Sequence, residues 1–349
     1  MKKIRIGKKK IGNGEPCYII AEAGVNHNGD LRLAKKLVKA AANAGADAVK
    51  FQTFSTDSIA TLTAPKATYQ KKTSDATESQ YAMLKRLELP QNAFIALAEY
   101  AEKNGIEFLS SPFDLASADL LESIGIAAYK IPSGELTNIP LLEKVGRYKK
   151  PVILSTGMAE MEEIREGVET LRTSGANGIV LLHCVTSYPA PLDSANLLMI
   201  PALAKEFDVP VGFSDHTEGV MAATLARAVG ACVIEKHFTL DRNLPGPDHK
   251  ASLEPDKLAG LVRQIRLAES ALGDGKKHIG KTEAANRKIV RKSLVAATAI
   301  PKGTRITRDM IAMKRPGTGI ETKHLGEVVG KQAKKAIKKD TVLRWDMLQ

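Results

Sequence analysis

Eight short apolar segments, rich in β-branched residues, alternate with helix-like segments between residues 17 and 272. The predicted strands cover residues 17–23, 48–54, 107–112, 128–131, 152–155, 179–184, 209–214 and 232–236. The predicted helices cover residues 31–44, 81–104, 116–124, 139–148, 161–174, 196–207, 220–229 and 255–272. Strands that alternate with helices form a parallel sheet, and eight such units within about 250 residues fit a closed (β/α)8 TIM barrel.

An open, doubly wound sheet is the alternative to a barrel. Such a sheet needs a glycine-rich phosphate-binding motif after an early strand, and the sequence AEAGVNHNG after the first predicted strand is a poor match. We therefore predict the barrel, over residues 1–272. The polar segment 55–79 follows the second strand and is predicted to be a mobile lid or substrate loop on the catalytic face.

The positive charge of the chain is concentrated at its carboxyl end. The sequence has 51 Lys and Arg against 39 Asp and Glu, a formal net charge of +12. Residues 1–272 hold 32 of each sign, so the excess lies in residues 273–349, with 19 basic and 7 acidic residues. That segment contains a single tryptophan, Trp345, and few aromatic residues for base stacking. We therefore predict no nucleic-acid partner.

The same C-terminal segment contains an internal repeat. The sequence AIPKGTRITRDMI at residues 299–311 returns 37 residues later as AIKKDTVLRWDML at residues 336–348. Two copies of one short motif predict a small, pseudo-symmetric, β-rich module over residues 289–349. The polar residues 273–288 are predicted to be a linker.

The sequence favours a cytoplasmic protein without a membrane partner. No apolar run reaches the roughly 20 residues that span a bilayer, and the first residues lack the apolar centre of a signal peptide. Cys17, Cys184 and Cys232 lie in apolar surroundings and are predicted to be buried, reduced thiols.

Polar side chains crowd the carboxyl ends of the predicted strands, where the catalytic residues of such a barrel lie. They are Glu22, Asn26, His27, Lys50, Gln52, Ser110, Ser111, Asp114, Lys130, Ser133, Glu135, Ser155, Thr156, His183, Thr186, Tyr188, Ser214, Asp215, His216, Glu235, Lys236 and His237. Charged groups inside strands are costly to bury unless they are paired or used. A ring of them therefore predicts an active site.

Lysines and serines in this ring indicate an anion site. Lys50 and Lys130 share the rim with Ser111, Ser133, Ser155 and Ser214, a combination that favours an oxyanion or phosphate group. A desolvated lysine also fits a Schiff-base 2-keto acid aldolase, in which the neutral amine attacks a carbonyl. Both possibilities remain open at this point.

Two histidines indicate a metal. His216 and His237 end adjacent predicted strands, so both imidazoles can reach the barrel mouth, where they suit a transition-metal Lewis acid with open positions. His27 and His183 either join them or make hydrogen bonds. Glu22 is either a counter-charge to a lysine or a catalytic carboxylate, and the same holds for Glu135.

Motifs spread along the chain resemble the sialic acid (nonulosonate) synthase family, of the N-acetylneuraminate and N,N'-diacetyllegionaminate synthase type. They are EAGVNHNGD, KFQTF, SSPFD, YKIPSGE, LSTGM, LLHCVTSYPAP, GFSDHT and EKHFTLDRNLPGPDH. The segment SLVAATAIPKGTRITRDMIAMKRPGTGI resembles the antifreeze-like (SAF) domain of that family. The resemblance covers almost the whole chain after its first dozen residues.

The resemblance implies a condensation that depends on phosphoenolpyruvate. In the family, C3 of phosphoenolpyruvate attacks the aldehyde of an open-chain N-acetylated hexosamine, water attacks C2, and phosphate leaves. A divalent metal, typically Mn²⁺ with Mg²⁺ or Co²⁺ as alternatives, polarises the aldehyde oxygen. His216 and His237 match the metal ligands of the family.

Other positions are carried over motif by motif. The residues at phosphoenolpyruvate-binding positions are Lys50, Lys130, Ser133, Ser155 and Ser214. Those at sugar-binding positions are Gln52, Tyr188 and Asp248. Glu22 and Glu135 match carboxylates that handle protons or position water, and Lys130 is grouped with them as catalytic.

The resemblance also implies how the small domain acts. Arg315, in KRPGTG, matches the arginine that the SAF domain inserts into the active site of the partner subunit. We therefore expect a domain-swapped homodimer in which each SAF domain caps the barrel of the other chain.

Two departures from the sialate-making members bear on the sugar. This chain has Phe51 and Phe54 in KFQTF where those members have histidines, and Thr186 where they have asparagine. Less polar walls suit a deoxy, acetamido-rich ligand. The departures favour 2,4-diacetamido-2,4,6-trideoxymannose, which gives legionaminate, with N-acetylmannosamine, which gives N-acetylneuraminate, as the alternative.

Overall fold

The computed structural model describes residues 3–73 and 77–349, and the chain divides into two compact units, Met1–Gly273 and Asp274–Gln349. The strands of the larger unit are β1 (Ile4–Ile6), β2 (Lys9–Ile11), β3 (Tyr18–Gly24), β4 (Ala48–Thr53), β5 (Glu107–Pro112), β6 (Tyr129–Ile131), β7 (Val152–Ser155), β8 (Ile179–Cys184), β9 (Val211–Asp215) and β10 (Val233–His237). Its α-helices are α1 (Leu31–Asn43), α2 (Thr56–Ile59), α3 (Thr68–Thr73), α4 (Gln80–Leu87), α5 (Gln91–Lys103), α6 (Leu115–Ile124), α7 (Ile139–Arg147), α8 (Met161–Ser174), α9 (Met199–Phe207), α10 (Met221–Ala228) and α11 (Pro255–Leu272). The smaller unit has α12 (Lys281–Val290), β11 (Ser293–Ala296), β12 (Ile311–Lys314) and α13 (Leu325–Val328).

Strands β3 to β10 form one parallel sheet that wraps into a barrel. Their order is β5-β4-β3-β10-β9-β8-β7-β6, so the first strand of the barrel pairs with the last. The two strands at the ends of this order, β5 and β6, contact each other. The predicted (β/α)8 architecture is confirmed, and all eight strands lie within two residues of their predicted bounds. The doubly wound alternative is wrong, because the first and last strands of such a sheet do not pair.

The interior of the barrel changes from mainly apolar to polar within two residues along each strand. Successive residues of a strand face opposite sides, so residues two apart share the interior. The inner layer nearer the strand beginnings is formed by Ile20, Ala48, Leu109, Ala128, Ile153, Leu182, Gly212 and Val233. Two residues further along each strand stand Glu22, Lys50, Ser111, Lys130, Ser155, Cys184, Ser214 and Glu235. The pleat therefore turns a packed apolar layer into a polar floor for a site.

An N-terminal hairpin packs against the opposite end of the barrel. β1 and β2 pair antiparallel, with Ile4 opposite Ile11. Both side chains, and that of Ile6, are buried in one apolar cluster with Tyr18 and Val233, which begin barrel strands. The hairpin therefore shields the apolar layer from water, a role for which the sequence showed no sign.

Two predictions of local structure are wrong in detail. Residues 81–104 were expected to form one helix, but α4 ends at Leu87 and α5 begins at Gln91. Proline disfavours helical geometry in the residue before it, here Leu89, so the helix breaks at this point. Pro90 itself caps α5 in an extended conformation. The predicted loop 55–79 contains the short helices α2 and α3. Part of this predicted lid, residues 74–76, lies outside the described residues.

The smaller unit is built from the two copies of the sequence repeat. Ile300 and Ile337, which are 37 residues apart, exchange two backbone hydrogen bonds of 2.8 Å. A short 3₁₀ helix recurs at the same spacing, as Arg308–Met310 and Trp345–Met347. Residues at equivalent positions of the two copies are buried in one core: Ile306 is equivalent to Leu343, and Ile311 to Leu348. The predicted linker contains helix α12.

No described helix is both long enough and apolar enough to cross a membrane.

Gly212 on β9 provides a stability test of the barrel interior. A Cβ at this position would lie 2.4 Å from the carbonyl oxygen of Val233 and 2.7 Å from Leu182 Cδ2. We expect Gly212→Ala to destabilise the barrel by about 1–3 kcal/mol, because an overpacked core must shift its backbone. The midpoint of thermal unfolding measures the loss. Gly260→Ala is the matched control, since its Cβ would meet only Arg263 Nη2 at 3.8 Å. An equal loss in both variants would contradict the packing argument.

Candidate active site

A cavity of about 340 Å³ opens at the carboxyl ends of the barrel strands. The residues predicted for the site within the barrel all line it: Glu22, Lys50, Gln52, Lys130, Ser133, Glu135, Ser155, Tyr188, Ser214, His216, His237 and Asp248. The structure thus brings together side chains that are far apart in sequence. Arg315 belongs to the smaller unit, where its Nε donates to the carbonyl oxygen of Val290 at 3.0 Å.

Two lysines and two carboxylates form a chain of charges on the cavity floor. Lys50 Nζ lies 2.7 Å from Glu22 Oε2 and 3.8 Å from Glu235 Oε2. Lys130 Nζ lies 3.6 Å from Glu235 Oε1. All four residues are at most 4% exposed, so water contributes little to their solvation and their stability as ions depends on each other.

Burial and ion pairing shift the pKa values of the two carboxyl groups in opposite directions. Burial, with repulsion by Glu235, raises the pKa of Glu22 to about 7 in spite of Lys50. Burial also acts on Glu235, but Lys130 and Lys50 together hold its pKa well below the ordinary value. At neutral pH Glu22 is therefore partly protonated while Glu235 is ionised. With both lysines charged, the four groups carry a net positive charge and favour an anion in the cavity.

The two lysines differ in their surroundings. Burial opposes the charge of Lys50, but Glu22 and Glu235 outweigh it and raise the pKa of Lys50. Burial outweighs the attraction of Glu235 at the second lysine and lowers the pKa of Lys130. The Lys130 ammonium donates to the carbonyl oxygen of Ile131 at 3.4 Å. It is thus the less stabilised cation and gains more from an anionic ligand.

Hydroxyl groups surround the two ammonium groups. Lys50 Nζ donates to Ser111 Oγ at 3.3 Å, and Ser214 Oγ donates to Glu235 Oε1 at 3.0 Å. Ser133 Oγ accepts from the backbone N–H of Gly157 at 3.0 Å. Ser155 Oγ is buried and has no hydrogen-bond partner among residues 3–73 and 77–349. A buried hydroxyl without a partner, in a cavity that also holds two cations, is typical of an oxyanion-binding site.

His216 and His237 lie together above this floor. Their ring centroids are 5.5 Å apart, and the ring of Tyr188 packs against that of His216 with centroids 4.2 Å apart and planes tilted by 37°. His216 Nδ1 donates to the carbonyl oxygen of Val185 at 2.8 Å, which leaves the lone pair on Nε2. His237 Nδ1 is buried and has no hydrogen-bond partner within the described ranges. Burial lowers the pKa of both imidazoles, and neutral imidazoles are the form that binds metals.

These two histidines fit a divalent metal with open positions. Across residues 3–73 and 77–349, no group of three or more His, Cys, Asp or Glu side chains has the geometry of a metal site. A metal here would take two imidazoles from the protein and keep its other positions for water or substrate. His183 Nε2 instead donates to the carbonyl oxygen of Ala195 at 2.9 Å, and His27 Nδ1 accepts from Gly29 N–H at 3.0 Å. Each of these two rings thus makes a hydrogen bond through one nitrogen, and neither residue lines the cavity.

The other end of the cavity combines polar and apolar walls. Gln52 Nε2 donates to Glu22 Oε1 at 3.1 Å, and burial raises the pKa of Asp248 to about 6. Glu135 accepts from Asn138 Nδ2 at 2.7 Å, and burial raises its pKa as well. The apolar wall consists of Val25, Ile59, Met83, Leu84, Leu87 and Phe113.

The expectation that Phe51 and Phe54 form this wall is wrong. Lys50 faces the cavity, so its neighbour Phe51 faces outward and is buried with the side chains of the surrounding helices. Phe54 packs against Phe113 with ring centroids 6.2 Å apart, and neither Phe51 nor Phe54 lines the cavity. Thr186 does line it.

Three kinds of lining residue were absent from the predicted site. The sequence marks Glu235 as a strand-end charge, but its place between Lys50 and Lys130 follows only from the register of the barrel. Cys184 contacts Ser133 at 3.1 Å beside the lysines, although its sequence context indicated only a buried thiol. Gln70 and Gln80 reach the cavity from segment 55–79 and the start of α4, as a substrate loop would.

Models of two protein families match consecutive parts of the chain. The model of the NeuB family matches residues 37–277, and that of the SAF domain matches residues 291–349. These ranges correspond to the larger and smaller units.

Individual proteins match over nearly the whole length. The chain is 46% identical to the N,N'-diacetyllegionaminic acid synthase of Legionella pneumophila over 347 residues, which cover 98% of each chain. It is 51% identical to the N,N'-diacetyllegionaminic acid synthase of Campylobacter jejuni over 328 residues, 93% of this chain and 98% of the other.

A crystal structure of N-acetylneuraminic acid (sialic acid) synthetase from Leptospira borgpetersenii shares the fold. The TM-score is 0.72 at 36% identity, and the match covers 82% of this chain and 95% of the other. Since one family model covers most of the barrel and the relatives match almost end to end, the chain belongs to the NeuB family and carries a SAF domain at its carboxyl end.

Proposed function

We propose that this protein is a nonulosonic acid synthase, which condenses phosphoenolpyruvate with an open-chain N-acetylated hexosamine and releases phosphate. The observation that carries the proposal is one cavity holding both a cationic, hydroxyl-lined floor and a pair of neutral imidazoles. The first suits a phosphorylated carboxylic acid, and the second suits a metal that activates an aldehyde. The named synthases among its relatives support this reading.

Phosphoenolpyruvate would bind on the lysine floor. Lys50 and Lys130 supply positive charge for its carboxylate and phosphate, and Ser155 supplies a hydroxyl that has no other described partner. Ser133 and Ser214 extend the hydroxyl lining on either side. Glu235 ties Lys50, Lys130 and Ser214 into one arrangement before the ligand arrives. Such preorganisation reduces the entropy that binding must offset.

His216 and His237 would hold the divalent metal, with Mn²⁺ as our choice and Mg²⁺ or Co²⁺ as alternatives. The metal, when bound, supplies a Lewis acid for the aldehyde oxygen of the sugar. The hydrogen bond from His216 Nδ1 to the carbonyl oxygen of Val185 sets the tautomer in which Nε2 carries a lone pair, 3.5 Å from Ser214 Oγ. The ring of Tyr188 packs against that of His216 and supports its orientation.

Two carboxyl groups are suited to move protons. Glu22 has a pKa raised to about 7, so its carboxyl can give or take a proton near neutral pH. Glu135, in the 3₁₀ helix Ser133–Glu135, is half-buried and oriented by Asn138. We assign to Glu135 the proton transfer at the water that attacks C2. To Glu22 we assign the proton transfer at the oxygen that forms from the aldehyde.

The sugar would lie between Gln52, Tyr188 and Asp248 and the apolar wall. That wall supports 2,4-diacetamido-2,4,6-trideoxymannose as acceptor, because a deoxy carbon and acetamido methyl groups bury well against it. Relatives named as diacetyllegionaminic acid synthases, at 46% and 51% identity, support the same choice. N-acetylmannosamine is the alternative acceptor.

Product mass identifies the reaction and the acceptor. Purified protein with Mn²⁺ and phosphoenolpyruvate is incubated with each sugar separately, and products are read by mass spectrometry together with released phosphate. We expect a nine-carbon 2-keto acid from the diacetamido sugar at a kcat/KM at least tenfold above that with N-acetylmannosamine. The reverse preference would overturn the choice of acceptor. No condensation with either sugar would overturn the synthase.

The SAF domain would complete the site of a second subunit in a domain-swapped homodimer. Residues 271–292 are all exposed, including helix α12, where Ile289 is 65% and Val290 50% exposed. Apolar residues on such a segment suit a surface that another chain covers. Arg315 is exposed beside it and would reach the acceptor in the barrel of the partner. The buried, free cysteines and the central metabolite used as donor support a cytoplasmic location.

Replacing Arg315 tests this cap. We expect Arg315→Ala to lower kcat/KM for the sugar about 100-fold without changing the midpoint of thermal unfolding, because a guanidinium lost from a closed site removes charge-assisted hydrogen bonds. Arg305→Ala, on the same unit, is the control. Mixing Arg315→Ala and His237→Ala chains should restore part of the activity in heterodimers. Purified heterodimers that stay inactive would contradict a shared site.

A further inference from the structure

Asn26, just beyond β3, links two parts of the chain that border the cavity. The residue is 1% exposed. Its Nδ2 donates to the carbonyl oxygen of Phe238 at 2.9 Å and to Ser252 Oγ at 2.9 Å. Phe238 directly follows β10, and Ser252 stands just before α11. The side chain therefore uses both of its amide hydrogens to join the two ends of the β10–α11 loop.

Ser252 passes this restraint on to Asp248. Its hydroxyl accepts from Asn26 and donates to the backbone carbonyl of Asp248 at 2.7 Å. The N–H of Ala251 donates to the same carbonyl at 3.2 Å. Among the described residues, no hydrogen bond to the Asp248 carboxyl itself is present, although that group lines the cavity and is buried. Its position thus depends on how its backbone is held.

The C-terminal end of the loop, at Leu253, is held to the end of β10 by backbone hydrogen bonds. Leu253 N–H donates to the carbonyl oxygen of His237 at 2.9 Å, and Thr239 N–H donates to that of Leu253 at 2.8 Å. Asn26 spans the same pair of segments through Phe238 and Ser252. Loss of Asn26 or Ser252 would leave this pairing in place but release the turn that carries Asp248.

We propose that Asn26 is a positioning residue, which acts through Ser252 to set the Asp248 carboxyl at the sugar end of the cavity. The inference rests on the proposed function, in which Asp248 holds the acceptor. The relay formed by Asn26, Ser252 and Asp248 does not contact Lys50, Lys130 or Ser155 on the anion floor. It therefore acts on acceptor binding and leaves phosphoenolpyruvate binding unchanged.

Steady-state kinetics with each substrate varied in turn tests the relay. Ser252→Ala removes one hydroxyl and keeps the bond from Asn26 to Phe238. We expect it to raise KM for the acceptor sugar about five- to tenfold, with KM for phosphoenolpyruvate within twofold of wild type. Asn26→Asp replaces the donor by an acceptor of the same shape. It should raise KM for the sugar at least as much, again with KM for phosphoenolpyruvate within twofold of wild type. Ser252→Thr keeps the hydroxyl and should return KM for the sugar to within about twofold of wild type.

A matched control separates positioning from loss of a buried bond. Tyr129→Phe removes a buried hydroxyl that donates to the carbonyl oxygen of Ala118 at 3.1 Å and to Glu122 Oε2 at 3.0 Å, both outside the relay. It should leave both KM values unchanged. If Ser252→Ala raised both KM values equally, or neither, the relay would be purely structural and the proposal wrong.

Hydrogen–deuterium exchange provides a readout that does not depend on the sugar. In the free protein, Ser252→Ala should speed exchange in a peptide spanning residues 245–253 and leave a peptide over β4 unchanged. Unaltered exchange in residues 245–253 would overturn the relay even if the acceptor proved to be another sugar. Wild-type protein that makes no product with either sugar would instead count against the proposed function.

Discussion

Replacing Lys130 by methionine is expected to lower kcat/KM for phosphoenolpyruvate by about 10³-fold, with the barrel still folded. Lys130 is buried and lies 3.6 Å from Glu235, and burial lowers its pKa. Methionine has a side chain of similar length but carries no charge. Glu235 would then be paired with Lys50 alone. Loss of a buried cation that pairs with a bound anion costs about 2–5 kcal/mol of interaction free energy with that ligand, and 4 kcal/mol corresponds to about 10³ in kcat/KM. Phosphate release under varied phosphoenolpyruvate measures the effect.

The same residue distinguishes the synthase from a Schiff-base aldolase. A lowered lysine pKa is also what an aldolase requires, so the loss of rate alone does not decide between them. Borohydride added during turnover should leave wild-type Lys130 and Lys50 unmodified by mass spectrometry. Trapping of substrate on either lysine would show the aldolase. Lys150→Met, at an exterior pair with Glu122 2.8 Å away, is the control and should keep full activity.

Removing the metal, or one of its proposed ligands, is expected to abolish the condensation. Wild-type protein treated with EDTA should lose at least about 10³-fold in kcat and recover when Mn²⁺ is added, because the aldehyde would otherwise lack its Lewis acid. His237→Ala should be equally inactive, and Mn²⁺ should not restore it. Metal content by mass spectrometry should fall with the activity in the variant.

A second buried histidine serves as the control. His183 donates to the carbonyl oxygen of Ala195 and stacks on Phe213 with centroids 5.8 Å apart, away from the proposed metal ligands. His183→Gln should keep its metal content and its response to EDTA. Full activity of wild-type protein after verified metal removal would show that the imidazole pair has another role.

The strand-end residues illustrate how far sequence reasoning reaches. Lys50 and Lys130 could be placed on one rim because parallel strands end at the same face and residues two apart share a side. The same alternation places Phe51 outside the barrel, in the core between the sheet and the helices rather than in the substrate wall. Asn26 was recognisable as a strand-end polar residue, but its bonds to Phe238 and Ser252 join segments more than 200 positions apart.

The eight-unit barrel, the polar ring at its strand ends and the paired repeat of the smaller unit are all readable from the amino-acid sequence alone. Those features rest on local periodicity and on spacing along the chain. Three features emerge only in the folded molecule: Glu235 lies between two lysines, the N-terminal hairpin covers the apolar end of the barrel, and Asn26 bonds to Phe238 and Ser252. Each depends on strand register and loop packing, which are set by contacts between distant residues and leave no periodic signal in the chain.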